Sequence, residues 1–190
     1  MTDPIRLGFA MTGSFCTFSQ VLPVIRQLAK SNEVTAVLSP AAAETDTRFY
    51  RAEDLLRELE QITGRKPMRT IAEAEQVGPG KLFDVLLAAP CTGNTLAKLN
   101  LGITDTSVLM AIKAQLRNGR PVVLALSTND ALSNAAKNIG GLLNRRDLYF
   151  VPFSQDDPEK KPRSMAANFG LCEAALDAAL EGRQLQPIIL

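Results

Sequence analysis

The stretch 90–95, Pro-Cys-Thr-Gly-Asn-Thr, has the residue types of an anion-binding turn. It follows an apolar segment, 82–89, typical of a buried strand, and precedes a helical pattern that begins at about Leu96. Free N–H groups at a helix N-terminus, with small hydroxyl and amide side chains beside them, can hydrogen-bond a phosphate. The pattern is neither a P-loop nor a dinucleotide fingerprint. It therefore predicts a site for one phosphate monoester, as in a mononucleotide cofactor, with an elaborate N-cap as the alternative.

Other small polar segments also follow apolar strand patterns. Strands predicted at 5–11, 34–39 and 121–126 lead into 12–14, 39–40 and 127–129. Open parallel sheets bind ligands outside the carboxyl ends of their strands, so these segments are expected to meet at one site. Taken alone, 12–14 is equally a strand-to-helix turn and 127–129 a helix cap. Together they give the predicted cofactor-binding residues Thr12, Gly13, Ser14, Ser39, Pro90, Thr92, Gly93, Asn94, Thr95, Ser127, Thr128 and Asn129.

Apolar strands alternate with helical patterns along the whole chain. A weaker strand pattern lies near 68–70, and 148–151 is predicted as the final strand. The alternation predicts a three-layer, Rossmann-like (flavodoxin-like) α/β fold with a mainly parallel sheet, as a single domain over 1–190. Helices are predicted at 18–30, 52–62, 94–118 (with a break near Gly102 and Thr104 or Asp105 as a cap), 131–143 and 164–180.

The segment 152–163 is polar, charged and punctuated by three prolines. One interpretation is a solvated surface connector. The sharper one is a flexible flap after the last strand, on which Lys160, Lys161 and Arg163 meet an acidic ligand.

The composition excludes several kinds of chemistry and partner. The chain has no histidine, which removes the usual general base and the commonest metal ligand. Three dispersed cysteines form neither a disulfide framework nor a metal motif, and Cys91 is expected to be a packing residue. A formal charge of +1 gives no signal for nucleic acid, and no segment has the pattern of a membrane span or a signal peptide. We expect a cytoplasmic protein without a metal site.

The strand-end segments resemble the flavoprotein family that includes flavin-dependent cysteine decarboxylases and flavin prenyltransferases. In that family the stretch after the fourth strand typically reads Pro-x-Ser-x-Asn-Thr, and 90–95 is similar, with Thr92 in the serine place. The resemblance implies FMN bound at a subunit interface, in trimers or dodecamers. It also implies a catalytic histidine for decarboxylation and, near the position of 126–129, an arginine for prenyl transfer; this chain has no histidine and no arginine in that stretch. Of the family's Pro-x-Met-Asn stretch, 126–129 keeps only Asn129.

The stretches 8–18, 152–162 and 186–190 resemble a branch of this family that works with a separate pyridine-nucleotide subunit. That resemblance implies oxidation of a dihydropyridine dicarboxylate during endospore formation. Aromatisation of the ring supplies the driving force, which suits a site without histidine, and no catalytic base is assigned. The alternatives are a flavin-dependent decarboxylase or prenyltransferase, and a noncatalytic subunit that binds the pyridine-nucleotide subunit.

Overall fold

Seven strands form one sheet in the computed structural model, which describes residues 4–190. The order is β2-β1-β3-β4-β7-β6, and β5 also pairs with β4. The pairs among β1 to β5 are parallel, whereas β7 is antiparallel to both β4 and β6. The strands are β1 (Arg6–Met11), β2 (Glu33–Leu38), β3 (Val85–Cys91), β4 (Val122–Thr128), β5 (Leu148–Phe150), β6 (Phe153–Gln155) and β7 (Met165–Ala167).

Helices cover both faces of this sheet, which explains why its central strands are continuous apolar runs. Every residue of β3 is buried, as expected for a parallel strand covered on both sides. The predicted α/β architecture with a mainly parallel sheet is thus confirmed. The helices are α1 (Phe18–Leu28), α2 (Pro40–Glu44), α3 (Ala52–Thr63), α4 (Ile71–Glu75), α5 (Val77–Gly80), α6 (Gly93–Asn100), α7 (Ser107–Arg117), α8 (Ala136–Leu143) and α9 (Cys172–Leu180), with short 3-10 turns at Phe15–Thr17 and Phe169–Leu171.

Two strands extend further at their carboxyl ends than the sequence predicts. Pro90 and Cys91 belong to β3, and Ser127 and Thr128 belong to β4, rather than to the loops that follow. Proline usually ends a ladder because it has no N–H. Here the carbonyl of Pro90 is the group that pairs, because it accepts the N–H of Thr12 at 3.2 Å.

The chain after β5 differs most from the sequence prediction. Instead of a helix over 164–180, Met165–Ala167 forms β7 and the helix begins only at Cys172. The run Met-Ala-Ala favours a helix locally, but pairing with β4 and β6 places it in the sheet. Strand 148–151 is consequently not the last, since β6 and β7 form a hairpin after it.

Several helices and strands begin or end at residues other than those predicted from the sequence. The predicted strand near 68–70 is a single bridge between Val37 and Met68. The helix predicted at 131–143 begins at Ala136, after a series of turns. The predicted break near Gly102 separates α6 from α7, but Thr106 caps α7, because its hydroxyl accepts the N–H of Leu109 at 3.2 Å.

Cys91 and Cys172 are part of the apolar core, and burial raises the pKa of each thiol to about 12. Cys91 is therefore a packing residue, as expected. Within residues 4–190, no helix has the length and apolar character needed to cross a membrane.

Candidate functional site

Thr12 joins the carboxyl ends of β1 and β3. Its hydroxyl donates to the carbonyl of Pro90 at 2.7 Å and accepts the N–H of Thr92 at 3.1 Å. Only 1% of the residue is exposed, so these hydrogen bonds are shielded from water. Thr12 and Pro90 therefore position the segment that begins α6.

A second contact joins the ends of β1 and β4. The Oγ atoms of Ser14 and Ser127 lie 2.7 Å apart, although 113 residues separate them in sequence. Ser14 adopts a left-handed backbone conformation with φ of 65°. That conformation begins the 3-10 turn that leads into α1, so the segment after β1 faces β4.

A pocket of about 300 Å³, here named the cap pocket, lies where three helix N-caps meet. Ser39 caps α2, Thr92 caps α6 and Thr106 caps α7, each by accepting a backbone N–H with its hydroxyl. All three line the pocket, together with Thr12, Gly13, Pro40, Ala41, Asn94, Thr95, Lys98 and Leu109. The start of a helix carries partial positive charge, so the caps give this pocket a preference for anions.

Lys98 adds a full positive charge to the cap pocket, and none of the described residues that line it is acidic. The ammonium group of Lys98 lies 2.6 Å from the carboxylate of Asp105, which is half-exposed. In α6 the hydroxyl of Thr92 takes the N–H of Thr95. The N–H of Asn94, at the second helical position, has no acceptor within the helix and is available to a ligand. Hydroxyls, a free N–H and one ammonium form a donor set that fits a phosphate monoester.

A larger hollow of about 800 Å³, here named the strand-end cavity, adjoins the cap pocket and shares Thr92 and Asn94 with it. Its walls come from the segment after β1, the start of α6, the end of β4 and the β6–β7 hairpin. The lining residues are Ser14, Cys16, Thr17, Gln20, Thr92, Gly93, Asn94, Ser127, Thr128, Asn129, Asp130, Asp156, Lys161, Ser164 and Ala166.

The wall between α6 and β4 has no room for a side chain at position 93. A Cβ atom there would lie 2.5 Å from the hydroxyl oxygen of Thr128 and 2.9 Å from a carboxylate oxygen of Asp130. The hydroxyl of Thr128 also donates to that carboxylate. Gly93 is thus required for α6 to approach the end of β4.

The β6–β7 hairpin brings one ion pair to the strand-end cavity. The ammonium of Lys161 lies 3.0 Å from the carboxylate of Asp156. Partial burial raises the pKa of Asp156, but hydrogen bonds from Ser164 and Lys161 outweigh it, so the pKa lies below its ordinary value. The hydrogen bond with Asp156 raises the pKa of Lys161. Both groups are therefore charged at neutral pH.

The structure brings most of the predicted site residues into these two hollows. Thr12, Gly13, Ser39 and Thr95 line the cap pocket, Ser14, Gly93 and 127–129 line the strand-end cavity, and Thr92 and Asn94 line both. Pro90 lines neither, and contributes through its carbonyl. Of the predicted cations, Lys161 lines the strand-end cavity, whereas Lys160 and Arg163 are exposed and absent from both walls.

Several lining residues were missed by the sequence prediction. Lys98 follows Asn94 by one helical turn, and Thr106 precedes an apolar helix as an N-cap does, so the local sequence could have identified both. No local pattern marks Cys16, Gln20, Asp130 or Asp156, because only the packing of distant segments places them on one wall. Within residues 4–190, no group of three or more histidine, cysteine, aspartate or glutamate residues could hold a metal ion.

With this fold and these strand-end hollows, the chain belongs to the Flavoprotein family, whose model matches residues 1–156. It is 42% identical to the B subunit of dipicolinate synthase of Bacillus subtilis (strain 168) over 186 residues, which cover 97% of this chain and 93% of that protein. The crystal structure of the B subunit of dipicolinate synthase from Bacillus halodurans C matches with a TM-score of 0.90 and 38% identity, covering 99% of this chain and 97% of that one. The FMN-dependent cysteine decarboxylase SpaF shares the fold, with a TM-score of 0.63 and 23% identity over 94% of this chain and 97% of its own.

Proposed function

We propose that this chain binds FMN, with the phosphate in the cap pocket and the isoalloxazine ring in the strand-end cavity. The division of charge between the two hollows carries this assignment. The cap pocket has Lys98, the starts of α6 and α7 and no acidic lining residue, although Asp105 pairs with Lys98 outside the lining. In the strand-end cavity Lys161 offsets Asp156 but not Asp130. A phosphate is therefore favoured in the cap pocket over the strand-end cavity.

The dimensions of the site agree with this assignment. A volume of about 800 Å³ is within the range of small-molecule sites and leaves room for a planar ring with a second ligand beside it. Thr92 and Asn94, which line both hollows, can hydrogen-bond the ribityl chain between phosphate and ring. The cofactor-binding residues predicted from the sequence, apart from Pro90, thus have direct roles in this proposal.

We further propose that the chain works with a pyridine-nucleotide partner, the A subunit of dipicolinate synthase, in oxidising dihydrodipicolinate to dipicolinate during sporulation. The identity to the B subunit of that enzyme from two Bacillus species supports this proposal. When bound, FMN supplies a two-electron acceptor for a dihydropyridine ring. Lys161, at the wall of the strand-end cavity, is the cation that meets a carboxylate of this small-molecule dicarboxylate.

We propose a single domain, assembled as a homo-oligomer such as a trimer or dodecamer, in the cytoplasm of the mother cell. Neither nucleic acid nor a membrane is a partner in it.

FMN binding is tested by titrating purified protein with FMN and with riboflavin, following the loss of flavin fluorescence. Lys98→Ala is expected to weaken FMN binding about tenfold and to leave riboflavin binding unchanged, because riboflavin has no phosphate. Lys113→Ala, an exposed lysine on α7, is the matched control. If Lys98→Ala weakened both ligands equally, the phosphate would not lie in the cap pocket.

The oxidation step is tested with dihydrodipicolinate, by assaying this chain and its proposed pyridine-nucleotide partner separately and mixed. Product formation that requires both chains and FMN supports the proposed reaction. A mixture that works equally well without FMN would instead support a noncatalytic role, in which this chain only binds its partner. Activity of this chain alone on a cysteine-containing peptide would support a decarboxylase.

A further inference from the structure

Asp130 places a carboxylate on the wall of the strand-end cavity with one side-chain hydrogen bond. The hydroxyl of Thr128 donates to it, and among residues 4–190 no lysine or arginine forms an ion pair with it. The backbone carbonyl of Asp130 accepts the N–H groups of Ser133 and Ala135, at 2.9 and 3.2 Å. The backbone of Asp130 is therefore held by the turns that follow it, and its carboxylate is oriented by the hydroxyl of Thr128.

Asp156, the other carboxylate that lines this cavity, has a cationic partner. Lys161 lies 3.0 Å from it and neutralises its charge. Asp130 is thus the carboxylate of this wall without a cationic partner among residues 4–190, and it can accept a further hydrogen bond from a ligand. An ionised carboxylate can only accept hydrogen bonds, so a ligand group that satisfies Asp130 has to carry an N–H or O–H.

The oxidised isoalloxazine ring has one such group. N3 carries a hydrogen, whereas N1, N5 and the two carbonyl oxygens only accept. Ribityl hydroxyls both donate and accept, and hydroxyl and amide partners are available to them in Thr92 and Asn94, at the boundary with the cap pocket. Asp130 does not line the cap pocket.

From this match, and resting on the proposed binding of FMN, we infer that Asp130 accepts a hydrogen bond from N3–H of the flavin ring. Thr128 and Gly93 are positioning residues in this arrangement. Thr128 orients the carboxylate by donating to it, and the missing side chain at Gly93 leaves the space that the carboxylate occupies. The same negative charge beside the ring disfavours the anionic reduced flavin, so Asp130 also lowers the reduction potential of the bound cofactor.

The test pairs a variant that lacks the carboxylate with a flavin that lacks the donor. Dissociation constants are measured for FMN and for N3-methyl-FMN with the native protein, Asp130→Leu and Asp177→Asn, an exposed aspartate on α9 that lines neither hollow. The native protein and Asp177→Asn are expected to prefer FMN by about tenfold or more, because the hydrogen bond involves a charged acceptor. Asp130→Leu is expected to bind the two flavins with nearly equal affinity.

The reduction potential gives a second readout that a purely structural role would not change in this direction. Asp130→Asn is expected to shift the midpoint potential of bound FMN to a more positive value, while Asp177→Asn, an exposed aspartate on α9, leaves it unchanged. An unchanged preference for FMN in Asp130→Leu would overturn the inference, even if the native protein binds FMN well. Failure of the native protein to bind any flavin would instead overturn the proposed function on which the inference rests.

Discussion

The cap pocket and the strand-end cavity are assembled over different distances along the chain. Each hydroxyl that caps a helix at the cap pocket binds an N–H three residues ahead, as Thr92 does with Thr95. The strand-end cavity depends on contacts such as that of Ser14 with Ser127, 113 residues apart. The cap pocket is thus set by local sequence once the sheet has formed, whereas the strand-end cavity is set by the packing of the whole chain.

The two hollows also differ in charge. The cap pocket combines helix N-termini with Lys98, and the strand-end cavity carries two carboxylates and one lysine. Because of this difference, a ligand with one anionic end is expected to bind in a single orientation, with that end in the cap pocket.

The largest effect is expected for Gly93→Ala, which changes the wall between the hollows. The added Cβ would lie 2.5 Å from the hydroxyl oxygen of Thr128 and 2.9 Å from a carboxylate oxygen of Asp130, so these side chains or the segments that carry them have to shift. We expect a loss of about 1–3 kcal/mol in the free energy of unfolding, as in other overpacked sites, together with loss of flavin binding. Urea denaturation and FMN titration measure the two effects. Gly140→Ala on α8 is the control, because no atom lies within 4 Å of its added Cβ; equal effects of both variants would contradict the crowding at Gly93.

Thr12→Val is expected to weaken both hollows through the ends of β1 and β3. Valine has nearly the same volume as threonine, but it leaves the N–H of Thr92 without the buried hydroxyl that now accepts it. The expected cost is about 1–3 kcal/mol in the free energy of unfolding, measured in urea.

Thr35→Val in β2 is the matched control, because Thr35 is also buried and its hydroxyl forms no hydrogen bond with residues 4–190. A cost at Thr35 as large as that at Thr12 would show that the hydroxyl of Thr12 has no particular role.

The smallest effect is expected for the ion pair of the strand-end cavity. The pKa of Asp156 is lowered in the folded protein, so its stabilising contribution is present above the unfolded pKa, near 3.9, and is lost as the pH falls through the lower folded value. The pair is largely exposed, so we expect less than about 1 kcal/mol. Asp156→Asn should therefore lower the free energy of unfolding slightly at pH 7, and by progressively less as the pH falls below the unfolded pKa. A difference that grew as the pH fell would contradict this assignment.

Local pattern was sufficient to predict the parallel part of the fold. The apolar runs at β1, β2, β3 and β4 and the polar segments after them are continuous in sequence, and their carboxyl ends meet because parallel strands point the same way. Most residues of the cap pocket could be predicted for the same reason.

The β6–β7 hairpin and the far wall of the cavity could not be predicted. Met165–Ala167 has no alternating pattern, and only its partners in β4 and β6 make it a strand. Asp130 has the sequence context of a helix cap, and its place on a cavity wall follows from the approach of α6 through Gly93. The local sequence does not distinguish Lys161 from Lys160 and Arg163. Only the fold of the hairpin places Lys161, and not the other two, on the cavity wall.

The pairing of β7 with β4 links the β6–β7 hairpin to the wall of the strand-end cavity. Ser127 and Thr128, on the cavity wall, form a ladder with Ala166 and Met165 of the hairpin. The hairpin cannot separate from the sheet without releasing the strand end that carries this wall. Amide hydrogens of the hairpin and of the end of β4 should therefore exchange with deuterium at similar rates, as one cooperative unit. A flavin bound in the strand-end cavity should therefore slow exchange in both segments together.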